Sequence, residues 1–253
     1  MRFTAWLLAL FASITLLLAA CGGDDDSSQA ASGSPSPAAP TSGAVEDQLA
    51  AVLLTDADVT QGLQGSGLEY STNEQLAGSS EEELQRLNLL GRQLGVDLTF
   101  IPTQEIQPDT PGRGGIQNSV SLYTGIDGVT EAFRTRTQAA RTNDWRANYA
   151  ELSEVQSTEV QRPLGDESLW VRVTGLQACE ADTPPGEPSP TIECVPRLAV
   201  IDHVLVHVGR NFIYLNVVSD AAKGSIPEVF AADVQRWVQL VIDRAREVFP
   251  VDQ

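Results

Sequence analysis

The chain has 253 residues, 42% hydrophobic and 20% charged, enough length and apolar content for one domain with its own core and not for a disordered polypeptide. Asp and Glu number 34 against 16 Lys and Arg, for a formal net charge of -18. Such a surface repels phosphate backbones and anionic headgroups, which excludes nucleic acid as a partner and the protein surface as a membrane anchor.

Residues 1–20 form an apolar leader. Met1-Arg2 is a minimal positive start, Ala5 to Leu18 is the greasy stretch, and Ala19-Ala20 are small residues directly before Cys21. A membrane-spanning helix needs about 20 apolar residues. Phe3 to Ala20 is shorter, carries Ser13 and Thr15, and runs into Gly22-Gly23-Asp24-Asp25-Asp26 with no Lys/Arg flank. The segment Leu18-Ala19-Ala20-Cys21 resembles the end of a bacterial lipoprotein signal peptide. That resemblance implies removal of residues 1–20, a diacylglycerol on the Cys21 thiol and acylation of the new amino group. The expected location is the extracytoplasmic face of a cell membrane, with the lipid on Cys21 as the membrane contact, because two or more acyl chains hold where one does not.

Residues 21–43 read as a tether: the Ser, Pro, Gly and Ala run from Ser27 to Gly43 has no large apolar side chain to bury. Residues 44–253 read as a single domain. Ser79 or Ser80 with Glu82 and Glu83 has capping-box spacing, and Leu84, Leu87, Leu90 and Leu94 recur on one helical face until Gly95. The triplet Glu81-Glu82-Glu83 suits a helix N-terminus and not acid/base chemistry. Arg113-Gly114-Gly115 is expected in a loop. A second helix is expected from Asp127 to about Arg141, with Val129, Ala132, Phe133 and Ala140 inward, and a third from Asp144 to Leu152. Ser225, Pro227 and Glu228 read as the start of a last helix whose stripe is Phe230, Val234, Trp237, Val238, Val241, Ala245 and Val248.

Strand patterns alternate at Val96, Leu98 and Phe100, at Val120 and Leu122, and at Leu169, Val171 and Val173. Leu198 to Val218 predicts a hairpin turning at Gly209-Arg210, with Gly first as in a type II′ turn. That register puts Val206 with Ile213 and Val204 with Leu215 on one face. It puts His207 with Phe212, Leu205 with Tyr214 and His203 with Asn216 on the other. The fold class is α+β, a mostly antiparallel sheet with helices packed on its Val/Ile/Leu face, the long C-terminal helix among them.

The chain holds 3 cysteines. With Cys21 lipidated, Cys179 and Cys194 remain as a pair around a Pro-rich stretch. Outside the membrane a disulfide is expected between them, worth about 3 kcal/mol on the chain-entropy account. A metal site or a reactive thiol is the alternative, but neither cysteine has a second Cys or a His within a few residues. No metal and no cofactor are expected.

Four stretches occur together in this order: Leu53-Leu54-Thr55-Asp56-Ala57-Asp58-Val59, Pro163-Leu164-Gly165-Asp166-Glu167-Ser168, the hairpin from His203 to Val218, and the amphipathic closing helix. The arrangement resembles poorly characterised actinobacterial-type surface lipoproteins and is similar to the extracellular sensor domains of bacterial Ser/Thr kinases. It departs at the turn, where those proteins more often read Arg-x-Gly-Asn and this chain has Val208-Gly209-Arg210-Asn211. The resemblance implies a cleft between sheet and helices for a ligand.

Candidate chemistry centres on the only 2 histidines. His203 and His207 are four apart, which on a strand separates them by about 13 Å, too far to share a metal. With Phe212, Tyr214 and Asn216, and by alternation Trp170 and Arg172, they outline a face suited to a small polar or aromatic ligand. The plain alternative is a sheet face covered by solvent or a loop. Gly165-Asp166-Glu167-Ser168 lacks the Gly-x-Ser-x-Gly elbow of a hydrolase and reads as a turn in which Asp166 bonds backbone groups. No catalytic constellation is present. The expectation is a non-catalytic module that binds a small ligand or an envelope component. An assembly accessory docking to another envelope protein is the second reading, and a divergent hydrolase the third.

Overall fold

Seven extended runs pair into one antiparallel sheet in the computed structural model, which describes residues 42–59, 62–103, 112–177, 196–222 and 230–250. In chain order the elements are α1 (Ser42–Val52), β1 (Leu63–Ser71), α2 (Asn73–Ala77), α3 (Glu81–Leu89), β2 (Arg92–Pro102), β3 (Gly112–Tyr123), α4 (Ile126–Thr142) and α5 (Trp145–Asn148). They continue with β4 (Leu152–Glu159), β5 (Glu167–Gln177), β6 (Arg197–Val208), β7 (Asn211–Ala222) and α6 (Ala231–Val248). The strand order is β1-β2-β3-β7-β6-β5-β4. Two meanders therefore meet where β3 pairs with β7, joined through α4 and α5. The α+β class and the mostly antiparallel sheet are as the alternation requires.

One face of the sheet lies under α1 and α6. Val96 and Phe100 of β2, Ile116 and Val120 of β3, Ile213 and Leu215 of β7, and Val204 and Val206 of β6 are fully or almost fully buried there. Above them α6 lays down Val234, Trp237, Val238, Val241, Ile242 and Ala245, each 0% exposed. The chain leaving α1 is fastened to α6. The Trp237 indole donates to the Asp58 carbonyl at 2.9 Å, and Arg244 donates to the Leu53 carbonyl at 2.7 Å and to both Asp58 carboxylate oxygens at 2.8 and 2.9 Å. The opposite face is covered as well. Phe133 and Ala140 of α4, with Trp145 and Tyr149, pack over Leu169, Val171, Val173, Ile201 and Leu205.

The β6–β7 register is the one alternation predicts, with Val206 opposite Ile213, Leu205 opposite Tyr214 and His203 opposite Asn216. Gly209 takes φ +53°, the sign a two-residue hairpin turn needs at its first position. Asp166 clamps this tip: its backbone N–H donates to the His207 carbonyl at 2.9 Å, and its carboxylate accepts from the Gly209 N–H at 2.8 Å.

Three expectations need correction. The helix capped by Ser80, whose Oγ accepts from Glu83 N–H at 3.2 Å, stops at Leu89. Gly91 at φ +69° turns the chain, and Leu94 belongs to β2. The helix after Asp144 is a single turn, because Leu152 opens β4. Arg113 to Gly115 lies in β3, with a bulge against β7 where a loop was expected. Cys21 and the tether to Thr41, Cys179, Cys194, and the helix-start residues Ser225, Pro227 and Glu228 lie outside the described residues. Among the described residues no helix is long and apolar enough to cross a membrane.

Candidate functional site

A cleft of about 200 Å³ opens between the second face of the sheet and α4. Its position follows from strand alternation. Val96, Val120 and Leu122 point toward α6, so Asp97 of β2 and Ser119, Ser121 and Tyr123 of β3 point the other way, into the cleft. Phe212 and Tyr214 of β7 and His203 and Leu205 of β6 extend the floor. Ala132, Arg136 and Ala139 of α4 form the roof, with Trp145 at one end and Leu76, Arg86, Leu87 and Leu90 along one side.

The aromatic end is rigid. His203, 2% exposed, has its Nε2 2.8 Å from the Tyr149 hydroxyl and its Nδ1 2.8 Å from the Tyr214 hydroxyl. A neutral ring has one N–H, so one tyrosine donates to it and the other accepts from it. Trp145 stacks on the imidazole at 4.6 Å between centroids. Burial pushes the His203 pKa down to about 3 and holds the Tyr149 and Tyr214 hydroxyls above the ordinary tyrosine value. The three groups are therefore uncharged at neutral pH.

The polar end is built on arginines. Arg92, 6% exposed, donates to the Ser71 carbonyl and the Asn73 amide oxygen, each at 3.0 Å, and to Ser71 Oγ at 2.9 Å. Gly95 makes room for it, since a β-carbon there would land on the Arg92 guanidinium. Arg86 is held by Glu83 in a two-point pair at 2.6 and 2.7 Å. Arg136 is partly buried and has no hydrogen bond or ion pair among the described residues. Desolvation lowers its pKa, and the charges of Arg86 and Arg92 push in the same direction against Tyr123 and Glu83. Arg92 is lowered by burial too. Asp97 is raised by burial, against hydrogen bonds from Ser119 and Gln117.

Of the candidate ligand face, His203, Phe212 and Tyr214 line the cleft. His207 and Asn216 share the sheet face but do not line it: His207 donates Nε2–H to the Gly209 carbonyl at 2.9 Å, and Asn216 is 1% exposed. Trp170 and Arg172 are on the other face, a correction to simple alternation. In the register Val171 opposes His203, while Trp170 opposes Val204 and Arg172 opposes Asp202. There the Trp170 indole donates to Asp202 at 2.6 Å and Arg172 pairs with it at 2.8 and 3.0 Å. Both faces of the sheet are covered and apolar, so polarity could not tell one from the other.

Sequence reasoning missed Arg92, Arg136, Tyr123, Trp145 and Asp97. A signal existed for Arg136. It falls at helical spacing on the inward stripe Val129, Ala132, Phe133 and Ala140, where a charge is out of place.

No family model and no curated protein sequence matches the chain. Among solved structures it is similar to the extracellular domain of PknH from Mycobacterium tuberculosis, with a TM-score of 0.42 and 9% identity over 80% of this chain and 96% of that chain. The likeness concerns the general course of the chain, and no residue role rests on it.

Proposed function

We propose that the protein is a lipid-anchored module on the extracytoplasmic face of a cell membrane that binds a small ligand in this cleft without transforming it. The supporting observation is the cleft itself: a concave site on a rigid sheet, walled by Trp145, Phe212, Tyr214 and His203 and bearing a few convergent polar groups. His203 is spoken for by two tyrosine hydroxyls, so its part is to fix the aromatic wall. The lipid on Cys21, left once the leader is removed, supplies the anchor, and the residues between Cys21 and the start of α1 at Ser42 supply the reach.

Two measurements test the reading. Native mass spectrometry of the protein extracted from its own membranes should show a small molecule released on gentle activation. Ala139→Phe, which fills the roof of the cleft, should lose it. An identical adduct in the filled variant, or none in the wild type, refutes the binding module. For the anchor, Cys21→Ala should abolish labelling by a fatty-acid probe, and a variant labelled as strongly as wild type refutes it.

A further inference from the structure

We propose that the cleft selects a small organic anion, a carboxylate, phosphate or sulfonate carried on a ring-sized apolar body, with the Arg136 guanidinium as its charge partner. The inference rests on the cleft being the ligand site.

It starts from an imbalance of charge. The molecule as a whole is strongly acidic, at -18, yet this aromatic-walled cleft gathers Arg86, Arg92 and Arg136. Their partners do not balance. Arg86 is neutralised by Glu83. Arg92 is tied by backbone and neutral side-chain oxygens, and no carboxylate reaches it within ion-pair distance among the described residues. Asp97, the acid of the lining, is bonded to Ser119 and acts on Arg92 through its charge, without a direct ion pair, so it does not serve Arg136. Arg136, partly buried, is left without a hydrogen bond or ion pair among the described residues. A desolvated cation that nothing pairs destabilises the fold that carries it, so a guanidinium at this place on the inward stripe of α4, unpaired among the described residues, suits an anion that arrives from outside. Guanidinium is also the side chain whose planar fork matches a two-oxygen anion.

The rest of the lining sets the ligand's size and body. A cavity of about 150 Å³ accommodates a benzene ring, so about 200 Å³ leaves room for one ring and its acid group. Trp145, Phe212 and Tyr214 offer flat apolar walls for that ring. The Tyr123 hydroxyl, without a hydrogen-bond partner among the described residues, stands near enough to Arg92 and Arg136 for their charges to act on it, and supplies a neutral donor to the same anion.

The test uses the full chain in detergent and pairs of closely similar shape that differ in charge: benzoate with benzamide, phenyl phosphate with phenyl sulfamate, and benzenesulfonate with benzenesulfonamide. Dissociation constants come from saturation-transfer NMR titrations. In wild type at least one anion should bind tenfold or more tightly than its neutral partner. Arg136→Gln should reduce that preference to twofold or less, Arg136→Lys should keep a weakened preference, and Arg134→Gln, exposed on the same helix, should leave it unchanged. Arg136→Gln should also melt at or above the wild-type temperature, because it removes an uncompensated charge. Should it fail to fold, a full preference retained by Arg136→Lys together with none lost by the double variant Arg136→Lys, Tyr123→Phe overturns the assignment. Neutral and anionic partners binding alike would sink the anion proposal and leave the cleft as a ligand site. If no member of any pair binds, both readings fall.

Discussion

His203 shows how burial and hydrogen bonding set a residue's behaviour. Both ring nitrogens are engaged at 2.8 Å, and burial pushes its pKa down to about 3. In the unfolded chain it titrates near about 6.5. Because the folded value is the lower one, the unfolded state takes up the extra proton between the two. The stability this residue contributes is thus whole above about pH 6.5 and is lost toward pH 3, by about 1.4 kcal/mol per pH unit. Asp97 has the opposite sign: burial raises its folded value, so its contribution is complete below the unfolded pKa and fades as pH rises through the folded one. His203→Gln retains a donor and an acceptor between Tyr149 and Tyr214 but carries no titrating proton. Urea unfolding followed from pH 7 down to pH 4 should therefore show a flatter loss of stability in the variant. Equal slopes for the two proteins would place the proton elsewhere.

Among the elements, α6 is held by its apolar stripe and by the clasp at the end of α1. Asp58 takes two bonds from Arg244 and one each from the Thr55 N–H and hydroxyl, at 2.7 and 2.8 Å. Desolvation works to raise its pKa, but the Arg244 and Thr55 bonds prevail and hold it below the ordinary value. Arg244 is partly exposed, so solvent screening limits the ion pair. Asp58→Ala should accordingly cost about 1–3 kcal/mol, mostly for the unmade bonds. The check is a lower urea midpoint with an unchanged m-value; a midpoint within error of wild type would mean the stripe alone seats the helix. This clasp also marks how far the sequence could be read. The stripe from Val234 to Ala245 and the β6–β7 register were legible because each is a local period that one buried face enforces. The role of Asp58 was not, since its partner lies 186 residues away. The cleft was legible only in part for a related reason. His203, Phe212 and Tyr214 sit on one hairpin whose register is local, whereas Arg92, Arg136 and Trp145 reach it from β2, α4 and α5 through non-local pairing. Trp170 and Arg172 were misplaced because β5 carries apolar residues on both faces.

At the scale of the whole molecule, a barrel-free sheet covered on both faces leaves its outer strands to finish the structure, and both are irregular. β1 carries a bulge between Gly65 and Leu68, and β4 one between Ser153 and Gln156, which interrupts an edge that would otherwise pair with another chain. The ladder between β5 and β6 bears on the two remaining cysteines. Gln177 pairs with Arg197 at the last described rung of that ladder. Cys179 follows Gln177 by two positions and Cys194 precedes Arg197 by three, so both depart from a rung that is already closed. The ladder is pinned there by Arg197, which pairs with Asp220 at 2.5 Å across to β7. We propose on this basis that the two thiols are joined. The bridge would act mainly on the unfolded chain, where it removes the freedom of a loop of roughly 15 residues and so contributes about 3 kcal/mol. Cys179→Ser should lower the unfolding free energy by up to that amount while leaving ligand binding intact, because the cleft lies on β2, β3, β6 and β7 away from this end of β5. Counting thiols in the denatured protein decides it: two should appear only after reduction, and two free before reduction would show that no bridge exists.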